Sequence, residues 1–120
     1  MNADANREAL ATLDDALDAT AATNELYYAP ELERLKGVLL LRQNDPDTAA
    51  LWFQKAIHTA VSQGAKSLEL RAATSLARLW SEQGRPAEAR DLLAPVYAWF
   101  TEGFQTMDLK DAKALLNELE

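Results

Sequence analysis

A chain of 120 residues with 48% apolar and 26% charged side chains has the balance of one globular domain and is too apolar for disorder. The absence of cysteine excludes a disulfide framework, a thiolate nucleophile and a zinc–sulfur site. A net charge of −7 without a basic run makes nucleic acid a poor partner, and the longest aliphatic run, Val38–Leu41, is far too short to cross a membrane.

The polar, acidic opening MNADANREAL differs from a signal peptide, so a cytoplasmic protein is the expectation. A first helix is expected over roughly 5–20, with Leu10, Leu13, Ala16 and Leu17 on one face. A second, over roughly 28–43, carries Leu32, Leu35, Val38, Leu39 and Leu41 close to a helical stripe. Asn44 should end it as a left-handed cap; Asp45 caps the next helix, and Pro46 takes the first helical position, where its missing N–H costs nothing. That third helix, roughly 46–63, aligns Ala49, Phe53, Ala56, Ile57 and Ala60 and stops at Gly64. Ser67 is the expected cap of a fourth helix over roughly 67–83, which Gly84 breaks. Arg85 is a weaker cap than Asp45, but Glu88 complements the dipole of a fifth helix over roughly 86–100, where Pro95 should impose a kink or an early end. After a turn at TEGFQT, a last helix over roughly 108–119 sets Leu109, Ala112, Leu115, Leu116 and Leu119 on one side and acids on the other. Nothing alternates with period two, so the expectation is an all-α fold of about six helices in a single domain.

The elbows repeat. QNDPDTA (43–49) returns as QGRPAEA (83–89), and a shift of 40 pairs Gly37 with Ala77, Leu40 with Trp80, Asn44 with Gly84, Phe53 with Leu93 and Ala56 with Val96. Shifted backwards, Glu8 and Ala9 fall under Glu88 and Ala89, so 1–22 reads as the second helix of a truncated unit, followed by units at 28–63 and 67–100 and a capping helix at 106–120. Gly37, Leu40, Ala49, Phe53 and Ala56 resemble the Gly–Tyr–Ala–Phe–Ala series of tetratricopeptide repeats, although the step of 40 exceeds that family's usual length of about 34. The resemblance implies a solenoid of antiparallel helix pairs with a right-handed superhelix. More narrowly, APELERLKGVLLL, ELRAATSLARLW and LLAPVYAWFTEGF followed by DLKDAKALLNEL resemble the C-terminal repeats of bacterial STAND-type signalling ATPases and adenylate cyclases. That implies a protein-binding scaffold in signal transduction, as a fragment or a stand-alone relative. It brings no ATPase activity, because no Gly-rich phosphate loop is present.

No catalytic, cofactor-binding or metal-ligating set emerges. His58 has no ligand partner at helical spacing, and Asp14, Asp15 and Asp18 read as a solvated face. The inner face of a repeat stack comes from the first helix of each unit, which makes Arg34, Val38, Leu41, Arg42, Arg71, Thr74 and Arg78 a candidate partner-binding groove. Its four arginines suit carboxylates, so an acidic protein or peptide is the expected partner. The asparagines of a chaperone-type carboxylate clamp are missing near Val38. The alternatives are a self-associating oligomerisation domain, meeting a second copy through a contact edge at Leu10, Leu13 and Leu17, and a small-ligand sensor.

Overall fold

Residues 3–23 and 29–119 of the computed structural model are described here, with side chains from 6–16 and 29–119. They form six α-helices and no strand: α1 (Ala3–Thr23), α2 (Ala29–Arg42), α3 (Pro46–Gln63), α4 (Lys66–Glu82), α5 (Pro86–Ala98) and α6 (Met107–Glu118). One boundary departs from expectation. Ala65 takes the N-cap position of α4 with no side-chain bond, and Ser67 is an exposed first-turn residue. α5 runs through Pro95 and stops at Ala98, one turn beyond the proline, whose ring faces solvent.

The elbow between α2 and α3 closes by main-chain bonds. Gln43 N–H donates to the Leu39 and Leu40 carbonyls at 3.2 and 3.1 Å, and Asp45 N–H reaches back to Leu40 at 3.0 Å. That return to a carbonyl five residues earlier requires a left-handed residue, which Asn44 supplies with φ 62°. Asp45 then caps α3, its carboxylate accepting from Thr48 N–H at 3.3 Å. Forty residues on, Gln83 donates to Leu79 and Trp80, Arg85 donates to Trp80 at 2.8 Å, and Gly84 has φ 77°. The side-chain cap is lost there. Arg85 instead pairs with Glu88 and lays its guanidinium 4.7 Å from the centre of the Trp80 ring.

Packing follows the chain, each helix against the next, with additional contacts of α2 on α4 and of α4 on α6. The core has one cluster around each elbow. Leu40, Ala49, Phe53, Leu76 and Leu79 form the first, and Leu70, Ala73, Ala77, Ala89, Leu93 and the apolar face of α6 form the second. Ile57, Trp80 and Leu92 touch both clusters and make the core continuous. Positions matched by the 40-residue shift therefore do matching work: Phe53 and Leu93 are both wholly buried, as are Ala49 and Ala89.

The buried face of α2 is not the leucine stripe. Ala29, Pro30, Glu33, Gly37 and Leu40 are buried, whereas Leu35 is exposed and Leu32, Val38, Leu39 and Leu41 are half-buried. The reason is close approach. A Cβ on Gly37 would stand 2.5 Å from Phe53 Cε1, so only glycine lets α3 press its aromatic ring onto the α2 backbone.

Charged side chains tie α1, α2 and α3 together. Lys36 pairs with Asp14 of α1 and sits 4.2 Å from the centre of the Trp52 ring; Lys55 sits 4.7 Å from the same ring and 3.8 Å from Glu33. Glu33 is 3% exposed, and its Oε1 has no hydrogen-bond partner. Burial raises its pKa, and Thr59 and Lys55 pull it back only in part. A raised folded pKa means that stability is complete while the carboxyl is protonated and is lost as pH rises through that pKa. Glu33→Gln is therefore expected to stabilise the fold at pH 7 by about 1 kcal/mol and to have little effect below the pKa of the unfolded chain. Urea melts of both proteins across pH 4–8 check this; a loss of stability at pH 7 would show that the charged form is the better accommodated.

Candidate functional site

Because α2 packs on α4 and α4 on α6, these three helices line one side of the molecule. Between them runs an open trough of about 480 Å³. Val38, Leu41 and Leu79 make its apolar floor, with Phe53 beneath. Its walls are polar: Glu31 and Arg34 from α2, Arg71, Thr74, Ser75, Arg78 and Glu82 from α4, and Asp108 and Asp111 from α6. A second hollow of about 410 Å³ continues it between α4 and α6, sharing Arg78, Glu82 and Asp111 and adding Ser81, Ala114, Leu115 and Glu118.

One end of the trough is an ion-pair network. Arg34 Nε donates to Glu31 Oε1 at 2.5 Å, and its Nη1 reaches Ser75 Oγ at 3.3 Å. Arg71 donates to Glu31 Oε2 at 2.6 Å and to Asp108 Oδ2 at 2.9 Å, so a single guanidinium joins α2, α4 and α6. Burial alone would raise the Glu31 pKa, but the bonds from Arg34 and Arg71 outweigh it and hold the carboxyl below its usual value. The same two carboxylates hold the Arg71 pKa above its ordinary value. Thr74 turns its hydroxyl onto the Leu70 carbonyl at 2.8 Å, which leaves the wall without an orphan there.

Six of the seven expected groove residues, Arg34, Val38, Leu41, Arg71, Thr74 and Arg78, meet in this trough. Arg42 does not. It closes the last turn of α2, about 100° around the helix from Leu41, and is exposed outside the lining. Of the three arginines that do meet, two are held by acids of the protein itself, and only Arg78 has no ion pair or hydrogen bond among the described residues. Of the α6 acids opposite its apolar face, Asp108 and Asp111 line this open trough, Asp111 with its side chain exposed. The available signal was the repeat register, since Glu31, Arg71 and Asp111 are 40 residues apart and alternate in sign.

At the expected N-terminal edge, Leu10 is half-buried against the first core cluster and Leu13 is half-buried; the side chain of Leu17 lies outside the described residues, as do Tyr27 and Tyr28. Trp99 and Phe104 are exposed, and His58 is an exposed residue of α3. No group of three or more metal-ligating side chains occurs among the described residues, and no described helix is long and apolar enough to cross a membrane. No family model, curated protein or solved structure matches the chain.

Proposed function

We propose that this chain is a non-catalytic protein-interaction module, a helix-pair array of the tetratricopeptide type that holds a segment of a partner protein in the trough across α2, α4 and α6. The observation that carries this is the trough itself: a polar-walled channel open to solvent, whose floor leaves Val38 and Leu41 half-buried. A hydrophobic floor supplies affinity and polar walls supply orientation. The Arg71 bridge fixes the three helices relative to one another, which lowers the ordering cost of association. The resemblance of 26–119 to the repeats of bacterial signalling ATPases supports a scaffold role within signal transduction.

The test is selection of displayed random peptides on the intact chain, followed by titration of the selected peptides into a Val38→Ser, Leu41→Ser variant. Binding is expected to weaken at least tenfold, about 1.4 kcal/mol, while the unfolding midpoint stays close to that of the parent. Equal binding by the two proteins would place the contact elsewhere.

A further inference from the structure

We infer that the segment held in this trough is basic: an apolar side chain lies over Val38, Leu41 and Leu79, and one or two lysine or arginine side chains reach Glu82, Asp111 and Glu118. The inference rests on the trough being a peptide site and specifies the chemistry of the peptide. It comes from which charges are already spent. At the Glu31 end, two arginines and two acids satisfy one another and ask nothing of a ligand. At the other end, Glu82, Asp111 and Glu118 share their surroundings with a single cation, Arg78. None of these four has an ion pair or hydrogen bond among the described residues.

Helix direction adds to the imbalance. Leu41 lies in the last turn of α2, Glu82 is the last residue of α4 and Glu118 the last of α6, so three carbonyl ends face this region. α4 has no basic residue in its last turn to offset its carbonyl end, and at α6 the one offsetting group is Arg90 of α5, whose Nη1 donates to the Leu119 carbonyl at 3.4 Å. Arg42, in the last turn of α2, lies outside the lining. An incoming carboxylate would meet an excess of negative charge here, and an incoming ammonium or guanidinium would relieve it. The acidic partner expected from four inner-face arginines is thus replaced by a cationic one.

The experiment uses the full 120-residue chain and three synthetic octapeptides that share a Leu-Leu pair and differ only at the next two positions, Lys-Lys, Glu-Glu or Gln-Gln. Amide-shift titrations at low salt should show the lysine peptide binding at least tenfold more tightly than the glutamate peptide, with shifts centred on Val38, Leu79, Glu82 and Asp111. The preference should collapse in a Glu82→Gln, Glu118→Gln variant, whose exposed, unpaired side chains can change without disturbing the core, and should shrink in high salt. Equal binding by the glutamine peptide, or tighter binding by the glutamate peptide, overturns the basic partner and leaves the trough intact as a site. If none of the three shifts the trough amides at millimolar concentration, the basic partner and the trough fall together.

Discussion

Phe53→Ala is expected to cost about 3–5 kcal/mol, a large part of the roughly 5–15 kcal/mol that holds a domain of this kind together. The ring is wholly buried, sits in the first core cluster with Leu40, Ala49, Leu76 and Leu79, and presses on bare backbone at Gly37. A glycine has no side chain with which to fill the space, so the cavity would persist and the cost should lie toward the upper end of that range. Denaturant melts of Phe53→Ala beside Trp99→Ala provide the comparison. Trp99 is 57% exposed, and its removal should change stability by no more than about 0.5 kcal/mol. Similar losses in the two variants would mean that the α2–α3 contact contributes little.

Gly37→Ala is expected to destabilise, against the usual direction for a helix interior. Alanine in place of glycine favours a helix by about 1 kcal/mol. Here the new methyl would stand 2.5 and 2.7 Å from two carbons of the Phe53 ring, and overpacking of that kind costs about 1–3 kcal/mol. The ring is enclosed on all sides and cannot swing away cheaply. The sharper result comes from a double-mutant cycle. In a Phe53→Leu background the clash is relieved, so Gly37→Ala should become neutral or stabilising, with a coupling energy of at least about 1 kcal/mol. Additive effects would show that the two positions do not touch in solution.

Acid should divide two neighbours on α2. Glu31 is held ionised by two arginines, so its contribution is present at neutral pH and is lost as pH falls through its lowered pKa; Glu33 behaves in the opposite sense. A sequence containing ELE offers no hint of this. One carboxylate faces the trough and the other the core, and the difference is set by helices far along the chain.

What was legible in the sequence was local. Asn44, Gly84, Pro46 and Pro86 announce their elbows because left-handed and fixed-φ residues have few other uses, and the described connections other than 99–106 are short enough that they dictate the helix order. The trough was legible through the repeat, which brought Arg34, Val38 and Leu41 into line with Thr74 and Arg78. The buried face of α2 was hidden because its central residue is a glycine, which hydrophobic counting cannot see, and because Glu33 is polar yet enclosed. The ionic state of the trough was hidden for a different reason. Ion pairs between residues 37 and 40 apart depend on how far each helix is rotated, which the spacing of apolar residues leaves loose by a residue or more.

The contact of glycine with phenylalanine also bears on how a repetitive chain avoids mispairing its own parts. In one unit the small residue is Gly37 and the large one Phe53; in the other, the corresponding places hold Ala77 and Leu93. The combined volumes are balanced within each unit and unbalanced between them. Leu93 in the place of Phe53 over Gly37 would leave a void, and Phe53 in the place of Leu93 over Ala77 would drive a methyl into an aromatic ring. Both elbows bend the main chain alike and would accept either match. One methyl exchanged for a larger ring thus matches each small residue to the large residue of its own elbow, a distinction that the two elbows, alike in their main-chain bonds, do not make.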